Sequence, residues 1–509
     1  MAHSQLPLSS ASYRAARNLA QLAEQVQHDL TRLNYPAENW VPPHLGPDGR
    51  EILDVLIVGA GMCGQTVAFA LMQLGVRNIR MIDRASEGSE GPWGTFARMN
   101  ILRSPKQLTG PDLGIPSLTY RAWHEAKFGS DHWSKLHKIE RLEWLNYLRW
   151  VRARSGVQVE NHTSLVHLIP GDERLHAEVH RHVDTIGFGA AIEKIYARKV
   201  VLALGREGSG GLRWPLFASF DPRSRVLHGR VFHSADPIDF ERWRGKHLAV
   251  LGAGASAFDN AAAALESGAR KVELFVRRPT LPQVNKSKWT SFPGFMQGFH
   301  NLSDEQRWRV YCHIFDEQVP PPWESIVRCD RHPNFSLHLK NGWLDLNDGA
   351  DAVYITSMTG EQKFDAAILA TGFDVNLLER PELGALREHI LLWSDRISEE
   401  DRLEHPEAAR FPYLGDGFEL LSRLPEAPAT IGDVHLFNHG STISHGALAG
   451  DIPGLATGAR RVAQAIARDL FTADAEEHYQ GLLAHDEPEL LNTRFYVPPD
   501  DLQATGDNQ

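Results

Sequence analysis

A β-turn-α-β unit occurs twice in this chain, and the duplication is the feature that most constrains the fold. The first copy runs from ILDVLIVGAG, an apolar strand that stops on glycines, through the helix-like TVAFALMQLG to the strand NIRMIDR. The second copy, KHLAVLGAGASAFDNAAAALESGARKVELFVRR, repeats the strand, the Gly-x-Gly turn, the Ala-rich helix and the next strand at nearly the same spacing. The repeat predicts an α/β fold with two Rossmann-like dinucleotide-binding domains.

The chain length sets how many units accompany this repeat. Its 509 residues correspond to about three domain-sized units. Two further strand-and-glycine endings, KVVLALG (199–205) and DAAILATG (365–372), predict a first domain that is interrupted by the second. The predicted segments are an N-terminal helical arm and linker (1–50), the first part of the first domain (51–215), the second domain (216–364) with an aromatic insertion (285–325), the second part of the first domain (365–475) and a C-terminal extension and tail (476–509).

Three segments outside the repeat have their own predictions. Residues 13–34 have the periodicity of an amphipathic helix that packs on a neighbouring domain, and LATGARRVAQAIARDLF predicts the last long helix. The tail after Pro498 is predicted to be disordered. The aromatic stretch from Trp289 to Trp323 is interpreted first as a core or domain-interface wall, with a roof over the site as the alternative.

The first glycine turn is a complete G-x-G-x-x-G fingerprint. It comprises Gly59, Gly61 and Gly64, and Asp83 ends the next strand, 24 residues after Gly59. Glycines let a pyrophosphate approach the backbone at the positive end of the helix. A carboxylate at the end of the second strand accepts hydrogen bonds from the ribose hydroxyls. The full strand, turn, helix, strand and acid pattern predicts a dinucleotide site.

The second turn differs from the first at its acid position. Gly252, Gly254 and Ala257 form G-x-G-x-x-A, and no acid stands 24 residues after Gly252; Arg277 and Arg278 follow there instead. Guanidinium groups without a carboxylate suit the 2′-phosphate of NADP. Solvated strand-end arginines are the alternative interpretation of this pair.

Two dinucleotide sites imply two cofactors. An N-terminal fingerprint followed by later ATG-type strands fits an FAD domain interrupted by a nucleotide domain, so FAD is expected at the first site and NADPH at the second. Hydride then passes from NADPH to the flavin.

The segment LHGRVFHSADPIDFERWRGKHLAVLGAGASAFDNA resembles the one that leads into the NADP site of class B flavoprotein monooxygenases. That superfamily includes flavin-containing, Baeyer–Villiger and N-hydroxylating monooxygenases. Its fingerprint is F-x-G-x-x-x-H followed by an aromatic residue. Here Gly229 and His233 match, while Leu227 and Pro237 replace the two flanking aromatic residues.

Further segments carry the same resemblance. DAAILATGF resembles the D-x-x-x-L-A-T-G-Y strand of the N-hydroxylating branch, and on this basis Thr371 and Gly372 are expected to contact a cofactor. Ser256 and Asp259 match a G-x-S-x-x-D variant of the flavin-containing branch, which places Ser256 at the NADP site.

The resemblance also implies residues near the flavin. Gly91-Pro92-Trp93 is similar to the G-G-x-W loop that covers the flavin, so Trp93 is expected to bind it. Arg103 stands where the flavin-containing branch has an Asn three residues before a Lys. Gly432-Asp433 precedes the last strand of the first domain instead of following it, so Asn438 and His439 at the strand end are the expected flavin-side residues. A structural role for the histidine is an equal alternative.

The activity that the resemblance implies is a monooxygenase. NADPH reduces FAD, O₂ adds to the reduced flavin as a C4a-(hydro)peroxide, and one oxygen atom goes to a small organic substrate. N-hydroxylation, Baeyer–Villiger insertion and ring hydroxylation all stay open. The residues expected to take part in catalysis are His233, Arg103 and Asn438.

Two other functions remain as alternatives. One is an NAD(P)H-dependent flavin oxidase or reductase without oxygen insertion, and the other is a non-catalytic flavoprotein redox sensor. A flavin disulfide reductase requires a redox cysteine pair. Cys63, Cys312 and Cys329 offer neither C-x-x-C nor C-x₄-C spacing, which argues against that enzyme.

Composition limits the partners. The net charge of −11 argues against a nucleic-acid binder, and no apolar run approaches the length of a membrane span. No secretory signal is recognised and cysteines are scarce, so a cytoplasmic protein is expected. The histidines lack H-x-x-x-H and H-E-x-x-H spacing, and no metal is expected. The expected partners are the small-molecule substrate and O₂, and a homo-oligomer stays open.

Overall fold

The computed structural model describes residues 10–108, 110–171, 174–182, 192–225 and 228–498, with side chains from residue 14 onward. The tail predicted to be disordered (499–509) and Leu227 of the histidine fingerprint lie outside these ranges.

The strands of the described residues belong to four sheets. In chain order they are β1 (Leu53–Val58), β2 (Ile79–Ile82), β3 (Thr163–Ile169), β4 (Leu175–Arg181), β5 (Ile192–Leu202), β6 (Gly210–Leu212), β7 (Val231–His233), β8 (His247–Leu251), β9 (Lys271–Phe275), β10 (Phe335–His338), β11 (Trp343–Asp348), β12 (Val353–Ser357), β13 (Gly360–Phe364), β14 (Ala366–Leu369), β15 (Phe373–Val375) and β16 (Val434–Leu436).

The helices cover the sheets and form the insertion and the terminal segments. In chain order they are α1 (Ser10–Arg32), α2 (Met62–Gln73), α3 (Tyr120–Phe128), α4 (Ser130–Lys135), α5 (Arg141–Ser155), α6 (Ala255–Glu266), α7 (Pro293–Gly298), α8 (Asp304–Glu317), α9 (Trp323–Asp330), α10 (Glu399–Glu404), α11 (Pro406–Ala409), α12 (Thr442–His445), α13 (Leu455–Ala473) and α14 (Ala475–Ala484). None of the helices in the described ranges combines the length and the apolar character needed to cross a membrane.

The first sheet has the order β2-β1-β5-β4-β3, and β16 also pairs with β5. β5 is long enough to pair with two different strands along the same edge. Its first half pairs antiparallel with β4, and its last three residues pair parallel with β16. Side chains of β1 alternate between two cores, with Val55 and Ile57 on the side of α2 and Leu56 and Val58 on the other. A parallel strand buried on both faces explains the continuous apolar run VLIV that follows Asp54.

The second sheet has the order β10-β9-β8-β14-β7, and all its strands are parallel. Its second glycine turn follows β8, as the repeat predicts. Together the two sheets confirm the α/β fold with two Rossmann-like domains.

One predicted boundary is wrong. DAAILATG was expected to open the second part of the first domain at residue 365, yet β14 pairs with β8 and β7 in the second sheet. The strand that returns to the first sheet is β16. A short apolar run fits the centre of either parallel sheet, and only the pairing partner distinguishes them.

The two chain segments that connect the domains lie side by side. The chain leaves the first domain through β6 and returns through β15, and these two strands pair antiparallel from Leu212–Phe373 to Gly210–Val375. This two-stranded ribbon is the hinge between the domains.

The predicted terminal helices are confirmed. α1 packs on α3 and α5, with Leu22, Val26 and Leu30 buried on one face. α13 is the predicted last long helix and packs against α2.

Candidate functional site

The first glycine turn leaves room for a ligand only at the position where the fingerprint requires it. A Cβ on Gly64 would lie 1.9 Å from the carbonyl oxygen of Gly59, so the helix packs too tightly on the turn for a side chain there. Around Gly61, by contrast, the nearest atom to a Cβ is Cα of Gly91, at 3.8 Å. Gly61 caps α2 without any side-chain hydrogen bond, so the first N–H groups of the helix are available to an anion.

Asp83 lies at the end of β2, as predicted. Its Oδ2 accepts a hydrogen bond from the backbone N–H of Ala60 at 2.7 Å, and its Oδ1 accepts one from Ala85 at 2.8 Å. These bonds fix the carboxylate beside the glycine turn, and each oxygen keeps a lone pair for a ribose hydroxyl.

The loop that contains Trp93 closes over this turn. Cα of Gly91 faces Gly61, and the guanidinium of Arg141 donates a hydrogen bond to the carbonyl of Trp93. The indole of Trp93 packs edge-on against that of Trp144, with 6.3 Å between the ring centroids. Its Nε1 is buried without a hydrogen-bond partner within the described residues. An unpaired buried donor costs free energy, and a bound ligand removes that cost.

A second unpaired donor lies at the end of β16. Asn438 is fully buried, and its Oδ1 accepts hydrogen bonds from the Ser209 hydroxyl at 3.0 Å and from the Gly440 N–H at 2.8 Å. Its Nδ2 has no partner within the described residues. The adjacent His439 contacts the Thr442 hydroxyl at 3.3 Å, and burial, with a smaller effect from Arg206, holds its pKa well below the usual value. His439 is therefore neutral near pH 7.

Sequence reasoning missed two residues at the same edge. Arg206 follows β5, and its Nη2 lies 3.8 Å from a carboxylate oxygen of Asp451, with both side chains about half exposed. Gly450-Asp451 is a Gly-Asp pair that follows the last strand of the first domain, whereas Gly432-Asp433 precedes that strand. The pair is visible in the sequence, but 13 residues separate Leu436 from Gly450, and no local pattern relates the pair to the strand.

Asp433 forms an ion pair away from the predicted flavin side. Its carboxylate accepts a hydrogen bond from Lys199 Nζ at 2.7 Å at the opposite end of β16. Asp433 therefore lies at the end of β16 away from Asn438 and His439, the residues predicted on the flavin side.

The second glycine turn repeats the first. A Cβ on Gly252 would lie 2.5 Å from the carbonyl oxygen of Ala370 and 3.3 Å from Cβ of Ala257, so both positions serve close packing. Gly254 caps α6 without a side-chain hydrogen bond and has open space around its Cα. Ser256 is exposed in the first turn of α6.

The two arginines predicted to bind the 2′-phosphate follow β9. Arg277 is exposed and Arg278 half-buried, and neither side chain has a hydrogen-bond or ion-pair partner in the described ranges. Lys340 lies beside them, because its backbone N–H donates to the carbonyl of Arg278 at 2.8 Å. This third cation follows the adjacent strand β10, which ends at His338, and was not predicted.

His233 holds the domain hinge. It is fully buried, its Nδ1 accepts from the Ala235 N–H at 3.1 Å, and its Nε2 lies 3.0 Å from the Gly372 carbonyl oxygen. These partners define the neutral Nε2–H tautomer, and burial lowers the pKa of the ring. The geometry supports a positioning role for His233, in place of the catalytic role expected from the sequence.

Thr371 and Gly372 also belong to the hinge. The Thr371 hydroxyl donates to the Arg213 carbonyl at 2.5 Å, and the Arg213 N–H donates to the Gly372 carbonyl at 3.0 Å. Gly372 has φ +82 and open space where a side chain would stand.

Arg103 lies at the junction of the two domains. Its Nη2 donates to Oδ2 of Asp259 on α6 at 3.1 Å. Burial lowers the pKa of Arg103, Asp259 opposes that effect, and Arg206 adds to it. Two guanidinium groups therefore stand near each other at the edge where the first and second domains meet.

The insertion forms a wall of this region. Phe299, Tyr311 and Ile443 share one hydrophobic core, and the ring of His300 stacks on that of His445 at 4.2 Å with an interplanar angle of 2°. The outer aromatic residues of the insertion are exposed to solvent: Trp289 is 71% exposed. The packing favours the wall interpretation over a roof.

The cysteines offer no redox pair. All three are buried and free, and burial raises the pKa of Cys63 to about 12. Thiol chemistry of the disulfide-reductase kind requires a thiolate, which such a pKa disfavours.

The residues present fit two dinucleotides. Each uncapped helix follows a glycine turn with open backbone, Asp83 marks the first site, and free cations mark the second. The unpaired Trp93 Nε1 and Asn438 Nδ2 are donors for the polar edges of a flavin or a substrate.

Comparison with known proteins agrees with this geometry. Residues 56–207 match a family model described as FAD-NAD(P)-binding. The chain is 39% identical over 478 residues to an FAD-dependent urate hydroxylase from Xanthomonas campestris pv. campestris, covering 93% of this chain and 98% of that protein.

Similar solved structures include two ornithine hydroxylases and a lysine monooxygenase. Ornithine hydroxylase PvdA from Pseudomonas aeruginosa has a TM-score of 0.61 at 17% identity and covers 82% of this chain and 100% of its own. Ornithine N-hydroxylase KtzI from Kutzneria sp. 744 has a TM-score of 0.62 at 16% identity and covers 82% of this chain and 99% of its own. L-lysine 6-monooxygenase from Pseudomonas syringae has a TM-score of 0.61 at 17% identity and covers 82% of this chain and 99% of its own. At these identities the likeness shows the fold.

Proposed function

The chain belongs to the family of flavoprotein monooxygenases that includes the FAD-dependent urate hydroxylase of X. campestris, and from this premise we propose that it hydroxylates urate. The observation that carries the proposal is the 39% identity over nearly the whole of both chains. An alignment of this extent includes both glycine turns, the hinge and the insertion. The substrate-side residues therefore lie within the shared length.

The general reaction is that of an FAD- and NADPH-dependent monooxygenase. One oxygen atom of O₂ enters the substrate as a hydroxyl group, the other leaves as water, and NADPH with one proton supplies the two electrons. When bound, the flavin supplies the oxygen-transfer chemistry. The protein supplies binding, orientation and a site that excludes water.

The chain's own groups divide this work. The N-terminus of α2 and Asp83 hold the FAD adenosine diphosphate, and Trp93 closes the loop above the glycine turn. The N-terminus of α6 and Arg277 hold NADPH. The aromatic insertion limits water at the junction, which favours oxygen transfer over peroxide release.

The charge at the junction suits urate. Urate is a planar purine that is an anion near neutral pH and carries several carbonyl oxygens. Arg103 makes one side-chain hydrogen bond, to Asp259, and its other N–H groups have no partner within the described residues. Those N–H groups can donate to the carbonyl edge of the anion, and Asn438 Nδ2 is a neutral, unpartnered donor of the first domain. The neutral His439 leaves the positive charge to the two arginines, Arg103 and Arg206.

The test is turnover by the FAD-loaded protein. We expect NADPH oxidation that depends on urate, with one urate consumed per NADPH and one atom from ¹⁸O₂ in the hydroxylated product by mass spectrometry. Ornithine, lysine and cyclic ketones serve as comparison substrates. Xanthine, a purine with one carbonyl fewer, tests the recognition of the carbonyl edge.

Other outcomes would assign another function. NADPH oxidation with one hydrogen peroxide per NADPH, unchanged by urate, would indicate an oxidase. Coupled hydroxylation of ornithine or lysine without urate turnover would indicate an amine hydroxylase. Absence of flavin reduction by NADPH would indicate a non-catalytic flavoprotein.

We also propose a reducing compartment, the cytoplasm, for this protein. Its three cysteines are free and buried, which is typical of proteins that fold where thiols stay reduced. A homo-oligomer stays a prediction, to be measured by light scattering of the holoenzyme.

A further inference from the structure

Asp259 is a buried carboxylate on which two domains and the insertion converge. Its side chain is 3% exposed and lies five residues into α6, directly behind the second glycine turn. Oδ1 accepts a hydrogen bond from the Ser325 hydroxyl of α9 at 2.6 Å, and Oδ2 accepts one from Arg103 at 3.1 Å. A buried carboxylate requires such partners, because an isolated buried charge is strongly unfavourable.

Arg103 is the nearer cation on this carboxylate. Arg328 also approaches, but its Nη1 lies 3.5 Å from Oδ1, at the limit of a hydrogen bond. Its shorter bonds go elsewhere, to Glu266 at 2.7 and 3.0 Å and to the Arg98 carbonyl at 3.0 Å. The ion pair of Asp259 with Arg103 therefore joins the second domain to the substrate side of the first.

The geometry of Arg103 shows what this pair does. Only one of its N–H groups is used within the described residues, and its side chain is 43% exposed. A long side chain with that exposure samples many rotamers unless one end is fixed. Fixing Nη2 on a rigid, buried carboxylate leaves Nη1 and Nε in one orientation at the junction.

We propose that Asp259 is a positioning residue, which holds the Arg103 guanidinium so that its remaining N–H donors face an anionic substrate. The ion pair spans the junction, so docking of the second domain is what orients Arg103. The substrate part of this inference rests on the proposed function, while the ion pair itself does not.

The first experiment tests the pair without any substrate. The holoenzyme is treated with phenylglyoxal, and modification of Arg103 is followed by peptide mass spectrometry. We expect severalfold faster modification of Arg103 in Asp259→Asn than in the wild type, because the freed guanidinium is more mobile and more exposed. Glu266→Gln is the matched control: it lies on the same helix and loses its bonds to Arg328 and Arg331, yet it does not contact Arg103.

The second experiment tests the consequence with urate. In Asp259→Asn we expect the KM for urate to rise about tenfold, the effect of one misplaced charge-assisted hydrogen bond, while the KM for NADPH stays within about twofold. In a double-mutant cycle with Arg103→Met, Asp259→Asn should add nothing, because the group that it positions is gone. If Asp259→Asn does not fold, the same two KM values are measured in Ser325→Ala, which removes the hydrogen bond to Asp259 Oδ1 and should raise the KM for urate by a smaller factor.

Each contrary outcome has a definite meaning. Unchanged modification of Arg103, or an equal increase in Glu266→Gln, would overturn the ion pair. A parallel rise in both KM values, or additive effects in the double-mutant cycle, would reduce Asp259 to a structural residue of α6. If the wild type does not turn over urate, the proposed function fails, and the modification experiment still decides whether Asp259 holds Arg103.

Discussion

The imidazole Nε2 of His233 lies 3.0 Å from the carbonyl oxygen of Gly372, and this hydrogen bond closes the hinge between the two domains. The histidine comes from β7 and the glycine follows β14, so one bond ties together two neighbouring strand ends of the second sheet where the chain turns back toward the first. Its position explains why a histidine without access to solvent belongs to the motif.

Replacing this histidine should loosen the hinge. In His233→Ala the Ala235 N–H loses its acceptor and the Gly372 carbonyl keeps only the N–H of Arg213, which should cost about 2 kcal/mol in the free energy of unfolding. Chemical denaturation measures that loss, and the ratio of hydroxylated product to NADPH consumed should fall with it. His313→Ala, an exposed histidine on α8, should change neither quantity. Full stability with full coupling in His233→Ala would contradict the hinge role.

Two glycines of the first turn should respond differently to alanine. Gly64→Ala places a Cβ 1.9 Å from the Gly59 carbonyl oxygen, so the apoprotein itself should be destabilised. Gly61→Ala meets only Cα of Gly91 at 3.8 Å, so the apoprotein should keep its melting temperature while FAD affinity falls. Thermal denaturation of both apoproteins and FAD titration separate the two effects. A Gly61→Ala variant with wild-type FAD affinity would place the pyrophosphate elsewhere.

Arg277 should set the preference for NADPH over NADH. Loss of a charge-assisted contact with the 2′-phosphate predicts that Arg277→Ala raises the KM for NADPH about 10- to 100-fold and leaves the KM for NADH nearly unchanged. Arg270→Ala is the matched control, an exposed arginine before β9 at the opposite end of the strand. Equal changes for both nucleotides would remove Arg277 from the phosphate site.

Acid stability should depend on a histidine away from the site. His435 on β16 is fully buried, and its Nδ1–H donates to the Gly417 carbonyl at 2.8 Å. Burial, with a smaller effect from Lys199, lowers its pKa to about 4. The unfolded chain then binds the proton more readily than the folded chain, so stability is full above pH 6.5 and falls as the pH drops toward 4, by roughly 3 kcal/mol in total.

The matched variant tests that pH dependence. His435→Asn keeps a donor for Gly417 and cannot titrate, so its unfolding free energy should fall less than that of the wild type between pH 6.5 and 4. Urea denaturation of both proteins across this range gives the difference. Parallel pH profiles would show that His435 does not titrate as the geometry requires.

Local patterns in the sequence determined much of this protein. The apolar runs of β1 and β8, the glycines after them and the amphipathic periodicity of α1 are short-range signals, because strand, turn and helix preferences act over a few neighbouring residues. The same signals, with Asp83 and Arg277 in their places, predicted two dinucleotide sites and the cofactors.

The tertiary structure decided the relations between distant segments. Only strand pairing shows that β14 joins the second sheet, and only the fold brings Arg206 to Asp451 and Arg103 to Asp259 across 156 positions of sequence. The physical reason is that such pairs depend on loop paths and packing of whole domains, which no local periodicity records. The sequence alone therefore predicted which cofactors this chain can hold, and the docking of its two domains decided which distant side chains come together at their junction.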